Sequence, residues 1–451
     1  MDVKNRGFSL IAFSLFLLLS SIFPHHFSAA NKNNSIPPTS IHSLISSLVY
    51  TIKGNVYPDG LYTVSINIGN PPKPYELDID TGSDLTWVQC DGPDAPCKGC
   101  TMPKDKLYKP NGKQVVKCSD PICVATQSTH VLGQICSKQS PPCVYNVQYA
   151  DHASTLGVLV RDYMHIGSPS SSTKDPLVAF GCGYEQKFSG PTPPHSKPAG
   201  ILGLGNGKTS ILSQLTSIGF IHNVLGHCLS AEGGGYLFLG DKFVPSSGIV
   251  WTPIIQSSLE KHYNTGPVDL FFNGKPTPAK GLQIIFDSGS SYTYFSSPVY
   301  TIVANMVNND LKGKPLSRVK DPSLPICWKG VKPFKSLNEV NNYFKPLTLS
   351  FTKSKNLQFQ LPPVAYLIIT KYGNVCLGIL NGNEAGLGNR NVVGGKTFLN
   401  LQKCYIFENF IVKSILLLLT DISLQDKVVV YDNEKQQIGW ASANCKQIPR
   451  S

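Results

Sequence analysis

Two copies of one short pattern constrain this chain more than anything else in it. Leu77-Asp78-Ile79-Asp80-Thr81-Gly82-Ser83 and Ile284-Ile285-Phe286-Asp287-Ser288-Gly289-Ser290 set Asp80 and Asp287 207 residues apart. In each copy an apolar run leads into Asp, a small hydroxyl residue, Gly and Ser. The run reads as a buried strand, and the Gly as a sharp turn behind the Asp. A single Asp in a turn is usually a cap or turn former. Two in matched settings predict a pair of loops that present their carboxylates to each other. Two close carboxylates cannot both ionise cheaply, so they share a proton and titrate as a unit. Such a pair can activate one water between a base and an acid.

The rest of the chain is compatible with that frame. At 451 residues two lobes are the natural expectation. Gly (39) and Pro (34) are plentiful, and short apolar runs between turn clusters dominate. Leu61–Ile68, Cys143–Tyr149, Gly235–Leu239 and Lys427–Tyr431 read as strands, which makes the chain all-β. Lys4 and Arg6, an apolar stretch from Phe8 to Phe23 and Phe27-Ser28-Ala29-Ala30 follow the order of a secretory signal peptide over residues 1–30. The stretch is short for a membrane span, so no stable span is expected. Asn33 heads the chain's one Asn-x-Ser/Thr site. The net charge of +12 suits a soluble cationic protein, or adsorption to polyanions such as acidic polysaccharide. No basic run carries interleaved aromatics, so nucleic acid is not an expected partner.

Thirteen cysteines, seven of them between Cys90 and Cys143, read as a disulfide framework in a secreted chain. Cys97-Lys98-Gly99-Cys100 has no second close pair to complete a zinc site. The ten His show no metal spacing, and no Ser-His-Asp set is recognisable. Gly203-Leu204-Gly205-Asn206-Gly207-Lys208-Thr209 lacks the leading Gly of a phosphate loop. No metal and no cofactor is expected.

The chain resembles the pepsin-like aspartic proteases, and within them the plant nucellin-like group. The residues that carry this are Asp80-Thr81-Gly82-Ser83-Asp84-Leu85-Thr86-Trp87-Val88, Asp287-Ser288-Gly289-Ser290-Ser291, Tyr149-Ala150-Asp151, Phe180-Gly181-Cys182-Gly183, Ile201-Leu202-Gly203-Leu204-Gly205 and Asn391-Val392-Val393-Gly394. The match runs from about residue 50 to 451. It implies a bilobal all-β fold with the active-site cleft between two β-lobes. The expected function is a secreted aspartic endopeptidase that acts on peptide or protein substrates as a monomer, in the extracellular space or vacuole.

By the same resemblance Asp80 and Asp287 are catalytic. Thr81 and Ser288 tie the two loops together, with Gly82 and Gly289 at the turns. Ser83 and Ser290 bond the outer carboxylate oxygens. Tyr149 is the flap residue over the substrate, and Trp87 steadies it. Ile201-Leu202-Gly203 and Val392-Val393-Gly394 cross behind the two Asp loops, where a Gly lets another backbone approach. Asp78 and Asp84 read as structural. Cys327–Cys376 and Cys228–Cys445 are the expected disulfides of the second lobe. The implied organisation is a short leader at 31–50, a first lobe at 51–245 with Asp80, flap and Cys-rich insert, and a second lobe at 246–451 with Asp287. The leader is shorter than a pepsin prosegment, which argues against ordinary zymogen control. A protease-fold binding or inhibitor module is the alternative, though it would be expected to lose the dyad.

One segment departs from the family. Gly394 would run straight into Asp421, yet Gly395 to Thr420 stand between them. The segment is rich in Phe, Leu, Ile, Lys and Asn, and its ends are compatible with splice-donor and splice-acceptor codons. It also contains Cys404, the odd cysteine. Residues 395–420 are therefore read as a retained intron or gene-model error, with a genuine loop or a membrane-seeking patch over Phe410–Leu419 as alternatives. A catalytically impaired splice product is the alternative to an active endopeptidase.

Overall fold

The computed structural model describes residues 47–92, 96–110, 114–127, 141–165, 175–188, 198–255, 262–354, 357–385 and 416–448. The expected signal peptide and most of the leader lie outside them. So do Asn391-Val392-Val393-Gly394, Cys136 and Cys404.

The described chain is β-rich with few helices, as the turn-punctuated apolar runs predict. The strand Leu61–Ile68 has the bounds read from the sequence, and Val144–Gln148, Gly235–Gly240 and Lys427–Asp432 match within a residue or two. The longest helix, Ser297–Asp310, buries Val299, Val303, Ala304 and Val307. That i, i+4, i+8 spacing marks one face of a helix.

A 13-stranded sheet path holds the first half. At its centre Lys73–Asp80, the strand that ends in Asp80, lies between Leu61–Ile68 and Gly200–Gly203. The far end is closed by strands from the second half. Lys427–Asp432 pairs with Val224–Leu229, and Val250–Pro253 pairs with Gln437–Ser442. Both halves of the sequence therefore contribute to one sheet. A second, eight-stranded sheet carries Leu282–Phe286, the strand ahead of Asp287. Tyr62, Leu77, Ile79, Ile284 and Phe286 have essentially no exposed surface, so each Asp loop starts from a strand locked in the core.

The strand behind Asp287 is not composed as the sequence reading expected. Leu416–Leu419 pairs in parallel with Gln283 to Phe286. This repeats the way Gly200–Gly203 pairs with Leu77 to Asp80. The last residues of the extra segment thus hold the position expected for Val392-Val393-Gly394. Leu417, Leu419 and Thr420 are fully buried there.

Disulfides join Cys90–Cys182, Cys97–Cys100, Cys123–Cys143, Cys228–Cys445 and Cys327–Cys376. The last two are the pairs expected for the second lobe. Cys118 is also disulfide-bonded, with its partner outside the described residues.

Candidate active site

Asp80 and Asp287 are brought together at the base of a cleft of ≈ 630 Å³. Each is 4% exposed. The two turn glycines show how close the loops come. A Cβ on Gly82 would lie 2.6 Å from Cγ of Asp287, and one on Gly289 would lie 2.5 Å from Cγ of Asp80. Any side chain at either position would displace the opposite acid.

Thr81 and Ser288 tie the loops reciprocally. The Ser288 N–H donates to Thr81 Oγ1 at 2.9 Å, and the Thr81 N–H donates to Ser288 Oγ at 3.2 Å. Each hydroxyl in turn donates to the opposite strand: Thr81 Oγ1 to the Phe286 carbonyl (3.2 Å), and Ser288 Oγ to the Ile79 carbonyl (3.0 Å). Both side chains are wholly buried, so these four bonds satisfy groups that water cannot reach.

The carboxylates are held unequally. Gly82 N–H donates to Asp80 Oδ1 at 2.8 Å, and Gly289 N–H to Asp287 Oδ1 at 2.9 Å. The Ser83 hydroxyl donates to the outer oxygen of Asp80. Ser290, expected to do the same for Asp287, instead bonds the Tyr294 hydroxyl. Its backbone carbonyl receives the Asp421 N–H at 3.0 Å. Burial raises the Asp80 pKa, but the Ser83 hydroxyl and the Gly82 N–H oppose it. Burial, followed by the charge of Asp80, holds the Asp287 carboxyl well above its ordinary range. Both carboxyls are thus raised, and the two titrate as one pair.

The segment expected to be the flap lines the same cleft. It is the hairpin of Val144–Gln148 and Ser154–His165, in register from Gln148 opposite Ser154. Tyr149 lies at its turn, where its N–H donates to the Ala153 carbonyl and its own carbonyl accepts from the His152 N–H. Trp87 is 5% exposed, and its Nε1–H donates to the Tyr149 hydroxyl at 2.7 Å. The indole thus fixes the phenol over the cleft.

Asp84 serves structure, as expected: its Oδ1 accepts from the Gly207 N–H at 2.8 Å. Gly203 also meets expectation, because a Cβ there would lie 2.5 Å from the Asp84 carbonyl carbon. Asp78, read as structural, has the Tyr62 and Ile79 backbones beside its carboxyl. It lines the cleft with Ile201, Trp87 and Tyr149. Its signal was available in the sequence, since residues two apart on a strand share a face. Asp421 was missed as well. It is 1% exposed, and burial together with Asp78, Asp287 and Asp80 raises its pKa well above the usual carboxylate range.

The family models described as Xylanase inhibitor N-terminal and Xylanase inhibitor C-terminal match residues 62–241 and 269–405. An aspartic proteinase of Oryza sativa subsp. japonica is 39% identical over 426 residues, covering 92% of this chain and 94% of the relative. Aspartic proteinase 36 of Arabidopsis thaliana is 29% identical, covering 86% of this chain and 74% of its own length. Among solved structures, basic 7S globulin from soybean superposes with a TM-score of 0.62 at 16% identity, covering 90% of this chain and all of that one. Conglutin gamma from lupine seeds gives 0.61 at 16%, covering 90% and 97%. At that identity the structural likeness concerns the fold.

Proposed function

This chain belongs to the plant pepsin-like aspartic protease family, and on that footing we propose that it is a secreted aspartic endopeptidase. The observation that carries the reading is the pair of buried carboxyls set against each other's turn glycine at the base of the cleft. Asp80 takes a proton from a water held between the two acids. The resulting hydroxide adds to the scissile carbonyl while Asp287 donates its proton to the carbonyl oxygen. The tetrahedral species collapses as Asp80 passes the proton it took to the leaving amine and one gem-diol hydroxyl returns a proton to Asp287, which leaves a carboxyl product and restores the dyad. No covalent acyl-enzyme forms. Tyr149 covers the peptide and excludes bulk water, which strengthens the electrostatic interactions beneath it.

Residues 1–30 act as the signal peptide in this reading, and the disulfides suit an oxidising compartment. The enzyme acts as a monomer in the extracellular space or vacuole. No helix among the described residues is long and apolar enough to cross a membrane. In this reading residues 395–420 are an insert in the second lobe, although the C-terminal family model extends to residue 405. The test is hydrolysis of denatured protein in acid, blocked by pepstatin and indifferent to serine-protease reagents and chelators. The match to xylanase-inhibitor family models also raises a binding-module reading. That reading predicts pepstatin-insensitive binding of a partner with no turnover, and the retained dyad and flap Tyr weigh against it.

A further inference from the structure

We propose that the cleft selects a lysine or arginine side chain beside the scissile bond, with Asp78 as its counter-charge. This deepens the endopeptidase reading and rests on it. Three neighbouring strands build the pocket. Asp78 lies opposite Ile201, and Ile201 lies opposite Trp87. Paired residues share a sheet face, with about 4.8 Å between strands. Trp87 then holds Tyr149 of the flap at 2.7 Å. All four residues line the cleft. The pocket thus has apolar walls from Ile201, Trp87 and Tyr149, and a carboxylate at one side of its base.

One oxygen of that carboxylate is uncompensated. Oδ1 of Asp78 has no accessible surface and no hydrogen-bond partner among the described residues. The other acids of the cleft differ. Asp151 accepts the Ala153 N–H at 3.0 Å, and Glu384 accepts from the Asn381 amide at 2.9 Å. A buried acid oxygen without a partner is costly. A substrate cation that approaches the partly buried carboxylate from the cleft offsets its charge without having to reach Oδ1. Lysine and arginine pair an apolar stem with a charged head, which fits apolar walls and an acid base. Asp78 stands two residues before Asp80 on the same strand face, about 7 Å away. A side chain flanking the bond held at the dyad reaches that distance.

The preference depends on pH. Asp78 faces Asp80 and Asp287 in the two loops, Asp421 from behind, and the Tyr62 backbone on the neighbouring strand. Burial, then the charges of Asp80 and Asp287, raise its pKa well above the ordinary value. In acid Asp78 is neutral and discriminates little. As pH rises it ionises, and the cation is favoured.

The test uses the full chain and two statine-based peptide inhibitors that differ only in a lysine or leucine side chain next to the statine. Binding is measured by calorimetry at several pH values, so turnover is not required. The lysine inhibitor is expected to bind about tenfold or more tightly at the upper end of the range, as for a charged hydrogen bond. The ratio should shrink toward acid, and Asp78→Asn should bring the two inhibitors within about twofold. Equal binding by the wild-type chain at every pH would overturn the assignment without any variant. So would a lysine preference that survives in a folded Asp78→Asn protein. If neither inhibitor binds, the endopeptidase reading itself fails, which is a separate outcome.

Discussion

Leu419 stands opposite Phe286 in parallel register, which carries Thr420 to the place beside Asp287 that Gly203 holds beside Asp80. On the Asp80 side that place is so tight that a Cβ would collide with the Asp84 backbone. On the Asp287 side a threonine occupies it, fully buried, with its hydroxyl 3.4 Å from that of Thr293. The two halves of the site are thus backed by strands of different composition.

Deletion of residues 395–420 tests what this difference does. It joins Asn391-Val392-Val393-Gly394 directly to Asp421, and four residues of the same apolar pattern then end in glycine at the critical place. The shortened chain should fold and exceed the full chain in activity by about tenfold or more, since displacements near 1 Å can cost roughly 10²-fold. Peptidase assays and unfolding curves on both forms decide it. Equal activity and equal stability would show that Leu416–Leu419 is a fully competent replacement.

The dyad makes a direct prediction. Asp80→Asn removes the base and Asp287→Asn removes the acid. Each should lower kcat by about 10²–10⁴-fold while leaving circular dichroism unchanged. Substantial turnover by either variant rejects the assignment of roles.

Thr81 and Ser288 should behave as a unit. Thr81→Ala leaves the Ser288 N–H and the Phe286 carbonyl without partners in a dry interface. Each unpaired group costs about 1–3 kcal/mol. Urea titration should show a lower midpoint for Thr81→Ala, and Thr81→Ser should recover most of it. If serine fails to rescue, the methyl and not the hydroxyl carries the stability.

Asp421 links stability to pH. Its carboxyl is buried, and Oδ1 has no hydrogen-bond partner among the described residues. Burial and three neighbouring acids raise its pKa. A raised carboxyl pKa means that the folded state holds a proton the unfolded state releases. Its contribution is therefore full below the unfolded value and is lost as pH rises toward the folded one. Asp421→Asn should flatten the fall in stability as pH rises above the ordinary carboxylate range. Parallel curves for variant and wild type would remove Asp421 from the account.

The staples should be separable from the chemistry. Replacing both cysteines of Cys228–Cys445 or of Cys327–Cys376 should cost about 2–5 kcal/mol. The dyad of the folded fraction should still bind pepstatin. Loss of pepstatin binding without unfolding would place these bridges in the site itself.

The sequence exposed what depends on short, repeated patterns. Asp80 and Asp287 follow apolar strands that reach the same point in the core, so their meeting was legible. Trp87 and Tyr149 were legible through their motifs, and the second-lobe disulfides through the family. Ser290 was not, because its local pattern copies that of Ser83. Its hydroxyl partner is set by Tyr294, which the first half has no equivalent for at that position: Trp87 stands seven residues after Asp80, as Tyr294 does after Asp287, and bonds the flap instead. The cleft position of Asp78 was not legible because its neighbours there, Ile201 and Trp87, come from other strands. Leu416–Leu419 was hidden for another reason. A run of leucines in an unexpected segment satisfies a buried parallel strand as well as the family's own residues do.

The strand Lys427–Asp432 completes a sheet begun some two hundred residues earlier, against Val224–Leu229, and Cys445 then locks Cys228. During synthesis both aspartates emerge well before that closing edge exists. A nascent or prematurely terminated chain therefore carries the two acids without the scaffold that holds their half-sites in register. Assembly of the paired half-sites therefore waits for the last stretch of the chain to be made.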